Sequence, residues 1–235
     1  AVVAVESVSD FAAAGRIVTA SLDAFGSADI LINNAGLAHA GALWETDAET
    51  FERVVATHVA GTFNCARHVV GSMMERKWGR IVNLVSRSGI TGIPGSIAYA
   101  MGKGGVFGLL NGASRELVDH GVTVNGVCPA STRTAMVTTA IEKLRETGAE
   151  GAKRADSLLA QMQTPENVAR PIAALCTEQA GAITGEVFLV EHDRIGLFQP
   201  LTVTQTLEGD AGWSAGELAT KLAGFELHDL ADAYG

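Results

Sequence analysis

The chain carries the stretch Arg80-Ile81-Val82-Asn83-Leu84-Val85-Ser86 and, thirteen residues after that serine, Tyr99-Ala100-Met101-Gly102-Lys103. The first stretch predicts an apolar strand that ends in a hydroxyl. In the second, Tyr99 and Lys103 would share one face of a helix, because positions i and i+4 are neighbours there. An ammonium beside a phenol lowers the phenol pKa, which suits a general acid or base. Any helix can carry such a pair by chance, so a half-buried tyrosine and a solvated lysine are the alternative interpretation.

Short apolar runs alternate with helical stretches along the whole chain, which predicts βαβ units around a parallel sheet. The predicted strands are 1–5, 30–33, 81–85, 122–127 and 186–190. The predicted helices are 10–25, 47–75 with Thr46 as its N-cap, 97–119, a helical lid within 131–163, 165–176 and 214–222. We therefore expect a doubly wound, mainly parallel α/β domain over 1–198, incomplete at its N-terminus, and a tail over 199–235 that contains a helix.

Composition excludes several classes of function. The 235 residues are 47% hydrophobic and 18% charged, as expected for a globular chain with a sizeable core. A net charge of −9 argues against a nucleic-acid partner, and no apolar run is long enough to span a membrane. Cys65, Cys128 and Cys176 have neither metal-ligand spacing nor a disulfide framework. They predict a reducing, cytoplasmic location and no metal site.

The serine, tyrosine and lysine together resemble the short-chain dehydrogenase/reductase family. Four further segments agree with the family and occur in its order along residues 1–195. They are Ala28-Asp29-Ile30-Leu31-Ile32-Asn33-Asn34-Ala35-Gly36, Gly79-Arg80-Ile81-Val82-Asn83, Val122-Thr123-Val124-Asn125-Gly126-Val127-Cys128-Pro129 and Gly181-Ala182-Ile183-Thr184-Gly185-Glu186-Val187-Phe188. The resemblance implies a Rossmann-like fold and an NAD(P)-dependent oxidoreductase that interconverts a secondary alcohol and a ketone.

The resemblance also implies roles for individual residues. Tyr99 would be the catalytic acid/base, Lys103 would lower the pKa of Tyr99 and hold the nicotinamide ribose, and Ser86 would position the substrate oxygen. The choice between NAD and NADP stays open, because the segment that distinguishes the 2′-hydroxyl from the 2′-phosphate follows the second strand of the family's fold. These 235 residues contain no match to that segment.

Further cofactor contacts are expected where strands end, since ligands bind at that edge of open α/β sheets. Asn33, Ala35 and Gly36 would meet the adenosine ribose, although Asn-Asn-Ala-Gly is also good turn chemistry. Thr132 and Thr134 would hydrogen-bond the carboxamide or the diphosphate. Helix capping is an equally good interpretation of these two threonines.

One departure narrows the resemblance. His58, in Thr57-His58-Val59-Ala60-Gly61-Thr62-Phe63, stands where most of the family has a catalytic asparagine. A histidine there is typical of the hydroxyacyl-CoA dehydrogenase domains of multifunctional β-oxidation enzymes, so a 3-hydroxyacyl thioester is one candidate substrate. By the same resemblance, Glu6 and Ser7 would meet the adenine. A core histidine bonded to a backbone carbonyl is the alternative for His58.

The family's Gly-x-x-x-Gly-x-Gly turn, which binds the pyrophosphate at a helix N-terminus, has no counterpart in the 235 residues. Three explanations stay open: the natural protein is longer, the N-terminal strand fills or swaps into the vacant slot, or the chain is a natural truncation without cofactor. The last explanation corresponds to an alternative function, a catalytically silent scaffold or binding partner.

The expected partners are a small-molecule substrate and further copies of the chain. By resemblance, helices 47–75 and 97–119 would form the contact of a homodimer or homotetramer. Their apolar content on more than one face supports this expectation: Val54, Val55, Val59 and Phe63 on the first helix, and Val106, Phe107, Leu109 and Leu110 on the second.

Overall fold

A computed structural model describes residues 1–199, 201–208 and 212–226. Its strands are β1 (Ile30–Asn33), β2 (Gly79–Leu84), β3 (Val122–Pro129), β4 (Val187–Glu191) and β5 (Arg194–Leu197). Its helices are α1 (Phe11–Phe25), α2 (Ala48–Val55), α3 (Gly61–Arg76), α4 (Arg87–Ile90), α5 (Ile97–Leu117), α6 (Ala135–Arg145), α7 (Ala149–Gln161), α8 (Pro165–Leu175) and α9 (Ala215–Leu222). A π-helical turn, Ala56–Ala60, joins α2 to α3, and the 3₁₀ turn Val118–His120 follows α5.

The strands form one sheet in the order β1-β2-β3-β4-β5. The first three pairs are parallel and the last, β4 with β5, is antiparallel. This confirms the predicted α/β class and the mainly parallel sheet. The sequence analysis missed β5, because the charged residues 191–194 read as a loop and hide a two-residue hairpin connection. His192 makes this turn with φ 54°, a left-handed conformation.

The two central strands are buried along almost their whole length, as parallel strands covered by helices on both faces should be. Ile81 of β2 and Val124 of β3 pack in the main core against Met73 of α3 and Leu110 of α5. A second cluster lies on the opposite side, where Val168 of α8 contributes. The site-bearing strands therefore lie between two layers of helices.

Helix ends follow capping chemistry, with one correction. Asp10 caps α1 by accepting from Ala13 N at 2.7 Å, and Gly26 ends it at φ 80°. The predicted cap Thr46 of the next helix is wrong. Asp47 caps α2 instead by accepting from Thr50 N at 2.7 Å, because its carboxylate reaches a free N–H of the first turn.

The predicted single helix over 47–75 is also interrupted, by the π turn at Ala56–Ala60. A π turn inserts one extra residue and often marks a functional position. Here it contains His58, which is 1% exposed. Helical periodicity alone does not reveal such an insertion, since the apolar spacing continues on both sides.

The predicted strand at 1–5 is wrong for the described chain, in which these residues have no regular secondary structure. Val3 and Val5 are 83% and 92% exposed. A strand needs a neighbouring backbone to satisfy its N–H and C=O groups, and no described segment pairs with residues 1–5. Residues 1–5 therefore have the apolar composition of a strand but no described hydrogen-bonding neighbour.

The chain divides into two compact units, Ala1–Phe198 and Gln199–Gly235. The second unit contains α9, which Ser214 caps by accepting from Glu217 N. The predicted tail extends over Pro200, 209–211 and 227–235, which lie outside the described residues. Among the described helices, none combines the length and the apolar character that crossing a bilayer requires.

Candidate active site

Ser86 lies just past the carboxyl end of β2 and caps α4 by accepting from Ser88 N at 3.2 Å. Buried β2 fixes its position, since every residue of that strand is inaccessible. Gly89 of α4 then lets the chain pass against α5. A Cβ at Gly89 would lie 2.4 Å from the carbonyl carbon of Lys103, a distance that only glycine tolerates.

Tyr99 and Lys103 lie one turn apart on α5, as predicted. The Lys103 side chain is buried, and its ammonium donates to the Leu84 carbonyl oxygen at 2.5 Å. Its Nζ lies 5.8 Å from the centroid of the half-buried Tyr99 ring. Ser86 hydrogen-bonds the Tyr99 side chain. The structure therefore brings the three predicted catalytic residues together.

The expected direction of the Tyr99 pKa is wrong for the protein alone. Burial raises the pKa of the Tyr99 phenol, and the hydrogen bond from Ser86 only partly opposes this. Burial also lowers the pKa of Lys103 to about 8. The expectation considered only the proximity of the ammonium to the phenol, whereas removing both groups from water disfavours both charged forms.

His58 is buried between the loop after β1 and Tyr99. Its Nε2 lies 3.0 Å from the Leu37 carbonyl oxygen, and its ring packs edge-on against Tyr99 with centroids 5.3 Å apart. Burial, with a smaller effect of nearby Lys103, lowers the pKa of the imidazole. Nδ1 is buried and has no hydrogen-bond partner in the described part of the chain.

The loop after β1 supplies part of the cofactor-site prediction. Ala35 and Gly36 line the same cavity as Tyr99. Gly36 is required by close packing, because a Cβ there would lie 2.5 Å from the His58 ring. Asn33, by contrast, does not line the cavity and donates from Nδ2 to Asn83 Oδ1 at 2.8 Å, across the parallel pair β1–β2.

The loop after β3 brings Thr132 and Thr134 to the cavity, as predicted. Sequence reasoning missed Gln163, which is 1% exposed and holds this loop in place. Its Nε2 donates to the Ala130 carbonyl and to Thr132 Oγ1, each at 3.2 Å. Its Oε1 accepts from His192 N at 2.8 Å. A buried glutamine in a polar lid segment has no periodic signal that could have revealed it.

These residues surround a cavity of about 990 Å³ at the carboxyl ends of β2 and β3. Besides Asn33, two further predicted cofactor residues do not line it. Glu6 forms an ion pair with Arg16 at 2.7 Å, and Ser7 hydrogen-bonds Ser9 at 2.8 Å. Several apolar lining residues were not anticipated, among them Ile93, Val137 and Ile172.

The residues present fit the nicotinamide half of a dinucleotide. An ammonium has three donors, and Lys103 has one of them on Leu84 O, so the buried cation has capacity for a ribose hydroxyl. Thr132 and Thr134 offer hydroxyls at the same cavity. The family's Gly-rich turn does not occur in the 235 residues, so the fit extends to the nicotinamide half alone.

Comparisons with known proteins agree with this geometry. A family model described as Enoyl-(Acyl carrier protein) reductase matches residues 2–192. The chain is 33% identical over 175 residues to 2-(S)-hydroxypropyl-CoM dehydrogenase 3 of Xanthobacter autotrophicus, covering 74% of this chain and 69% of that protein. It is 34% identical over 192 residues to the (2S)-[(R)-hydroxy(phenyl)methyl]succinyl-CoA dehydrogenase subunit BbsD of Thauera aromatica, covering 80% and 73%.

The fold has a counterpart among solved structures as well. The crystal structure of a short chain dehydrogenase from Mycobacterium avium superposes with a TM-score of 0.77 at 27% identity. The match covers 93% of this chain and 70% of that one. With Ser86, Tyr99 and Lys103 assembled at one cavity, the chain belongs to the short-chain dehydrogenase/reductase family, whose NAD(P)-dependent enzymes interconvert alcohols and ketones.

Proposed function

We propose that the protein reduces a ketone to a secondary alcohol, or catalyses the reverse oxidation, with NAD or NADP, and that a 3-hydroxyacyl thioester is a candidate substrate. The observation that carries the proposal is the meeting of Ser86, Tyr99 and buried Lys103 at the end of β2. The dehydrogenases similar to this chain include one named for a hydroxylated acyl-CoA, which supports the thioester.

The chain's residues divide the work as follows. A bound nicotinamide would supply the hydride for ketone reduction and take it up in alcohol oxidation. Tyr99 donates its phenolic proton to the substrate oxygen during reduction and accepts it back during oxidation. The Ser86 hydroxyl orients that oxygen through a hydrogen bond. Lys103 contributes positive charge beside Tyr99 and capacity to bind the ribose.

The raised pKa of Tyr99 keeps the phenol protonated at neutral pH, which suits ketone reduction better than alcohol oxidation. A phenol whose pKa lies above its ordinary value is protonated there, so the protein alone presents an acid. An acid suits ketone reduction, in which a proton must be given to the oxygen. Alcohol oxidation needs the phenolate and is therefore expected to improve as the pH rises.

His58 takes part as a positioning residue in this proposal. Its hydrogen bond to Leu37 and its edge contact with Tyr99 join the loop after β1 to the catalytic helix. The lowered pKa keeps the imidazole neutral, and the unpaired Nδ1 is an acceptor for a water. Such a water would support the proton path in place of the family's asparagine.

A homodimer or homotetramer through the two long helical stretches remains part of the proposal, with a smaller contact surface than expected. Val54, Val106 and Leu110 are at most 2% exposed within a single chain and are unavailable to a partner. Phe63 and Met101, at 51% and 52% exposure, offer apolar surface on the same helices. Sedimentation of the full chain as a monomer would contradict this assembly.

Replacing Tyr99 by Phe tests the proposed function. Removal of the proton donor should lower the turnover number about 10²- to 10⁴-fold, while the ring keeps its packing against His58. Stopped-flow absorbance at the nicotinamide band follows the reaction, and calorimetry with NADH and NADPH checks binding separately. A wild-type chain that neither binds a dinucleotide nor turns over a ketone would instead support the silent scaffold.

A further inference from the structure

Arg87 is a cavity-lining residue for which the proposed reaction has no use. It follows Ser86 directly and is partly buried. Adjacent Cα atoms are about 3.8 Å apart, so the arginine begins next to the residue that would hold the reacting oxygen. A charged side chain beside the residue that would hold the reacting oxygen is a candidate contact for a charged group of the substrate.

Arg87 also lies close to β3, because its backbone hydrogen-bonds the thiol of Cys128. Cys128 is 0% exposed, and the positive charge of Arg87 acts on its thiol, against the burial that raises the thiol pKa to about 11. Lys103 acts on the same thiol more weakly. The charges of Arg87 and Lys103 therefore both act on the same buried residue of β3.

The remaining lining offers little competition for an anion. Among the described residues that line the cavity, Arg87 and Lys103 are the basic side chains and Glu191 is the one carboxylate. Glu191 lies 3.5 Å from Arg194 of β5, which offsets its charge. Apolar Ile93 and Val137 also line the cavity and lower the local dielectric, which strengthens a charge-assisted hydrogen bond.

We propose that Arg87 selects ketone substrates that carry a carboxylate close to the reacting carbonyl carbon. A guanidinium presents five N–H donors in a planar fork that matches a carboxylate, so it has capacity for a substrate anion beside its contacts within the chain. This inference rests on the proposed function and narrows its substrate class. It favours a free 3-oxo acid over a neutral thioester of the same acyl chain.

The test compares two ketones that differ in one charge, 3-oxobutanoate and its neutral methyl ester, with the wild-type chain and Arg87→Met. The substitution should lower kcat/KM for the acid about 10- to 100-fold and leave the ester nearly unchanged. Arg87→Lys keeps the charge and loses the planar fork. Its kcat/KM for the acid should lie between those of the wild type and Arg87→Met. Arg154→Met, at an exposed arginine of α7 outside the cavity lining, is the matched control and should behave as wild type.

A binding measurement separates this inference from the proposed function. Saturation-transfer NMR should detect 3-oxobutanoate on the wild-type chain and the Arg154→Met control, and lose it on Arg87→Met, whether or not turnover occurs. Equal loss of acid and ester activity, or acid binding that Arg87→Met does not weaken, would overturn the role of Arg87. Absence of turnover with every ketone would count against the proposed function, and the binding comparison would still decide the role of Arg87.

Discussion

The central strand β2 and the edge strand β1 run parallel in the same sheet but differ in burial. All six residues of β2 are buried, whereas β1 alternates between exposed and partly buried positions. Strand β2 has hydrogen-bonded neighbours on both sides, and β1 has one described neighbour. Ile30 and Ile32 of β1 are each 46% exposed.

The difference in burial shows which part of the site is held most rigidly. Ser86 follows the fully buried strand β2, and the Leu84 carbonyl oxygen of that strand also accepts a hydrogen bond from the Lys103 ammonium. The edge strand supplies Ala35 and Gly36 through a loop that is held largely by His58. We therefore expect the catalytic centre to respond sharply to changes near β2 and weakly to changes on β1.

The largest effect on kcat/KM is expected at Gly89, where no space remains for a side chain. Gly89→Ala would place a Cβ 2.4 Å from the Lys103 carbonyl carbon and 2.5 Å from Gly104 N, both backbone atoms. Helix α5 would have to move and carry Tyr99 with it. Because small misplacements of reacting groups are costly, kcat/KM should fall about 10²-fold or more.

Gly108→Ala is the matched control. It also adds one methyl group, but on α5, where the new Cβ would meet no neighbouring atom within 4 Å. Alanine is the better helix former by about 1 kcal/mol, so this variant should be as stable as wild type or more so. Equal activity of the two alanine variants would show that α4 and α5 are not as rigidly packed as the distances imply. Circular dichroism verifies that both variants fold.

The second comparison concerns stability and sets the core against the edge directly. Leu110→Ala removes a side chain of 0% exposure that packs behind β3, and should lower the free energy of unfolding by about 2–5 kcal/mol. Ile32→Ala, on the half-exposed edge, should cost less than about 1.5 kcal/mol by the area it still buries. Urea unfolding of both variants measures the difference, and similar losses would mean that the edge is covered in solution.

Much of the central region was predictable from local sequence. Apolar runs located β2 and β3 within two residues, and the i, i+4 spacing placed Tyr99 and Lys103 on one helix face. Strand ends in a parallel sheet then brought Ser86, Ala35 and Thr132 to one edge. Each of these steps needs only periodicity and the rule that ligands bind at carboxyl ends of strands.

The remainder depends on contacts that no local pattern encodes. His58 lies in the π turn and packs on Gly36 and Tyr99, and Gln163 is buried and anchors a loop. Neither set of contacts leaves a periodic pattern in the sequence. The pKa of Tyr99 was predicted in the wrong direction, because spacing states proximity but not desolvation. The predicted contact of Glu6 with the adenine stays a prediction. In the structure the Glu6 carboxylate pairs with Arg16.

The smallest expected effect is a pH dependence of the free energy of unfolding that originates near β2. Burial lowers the pKa of Lys103 from 10.5 to about 8, so between these values the unfolded chain binds a proton that the folded chain does not. The free energy of unfolding should therefore rise with pH across this window on account of Lys103, by at most about 3 kcal/mol, and this gain is lost as the pH falls to 8. Lys103→Met should flatten that part of the urea-unfolding profile. Lys153→Met, at an exposed lysine of α7, should leave it unchanged. Parallel profiles for wild type and Lys103→Met from pH 7 to 10 would mean that the ammonium is hydrated in solution, and that the region around β2 is less closed than its burial indicates.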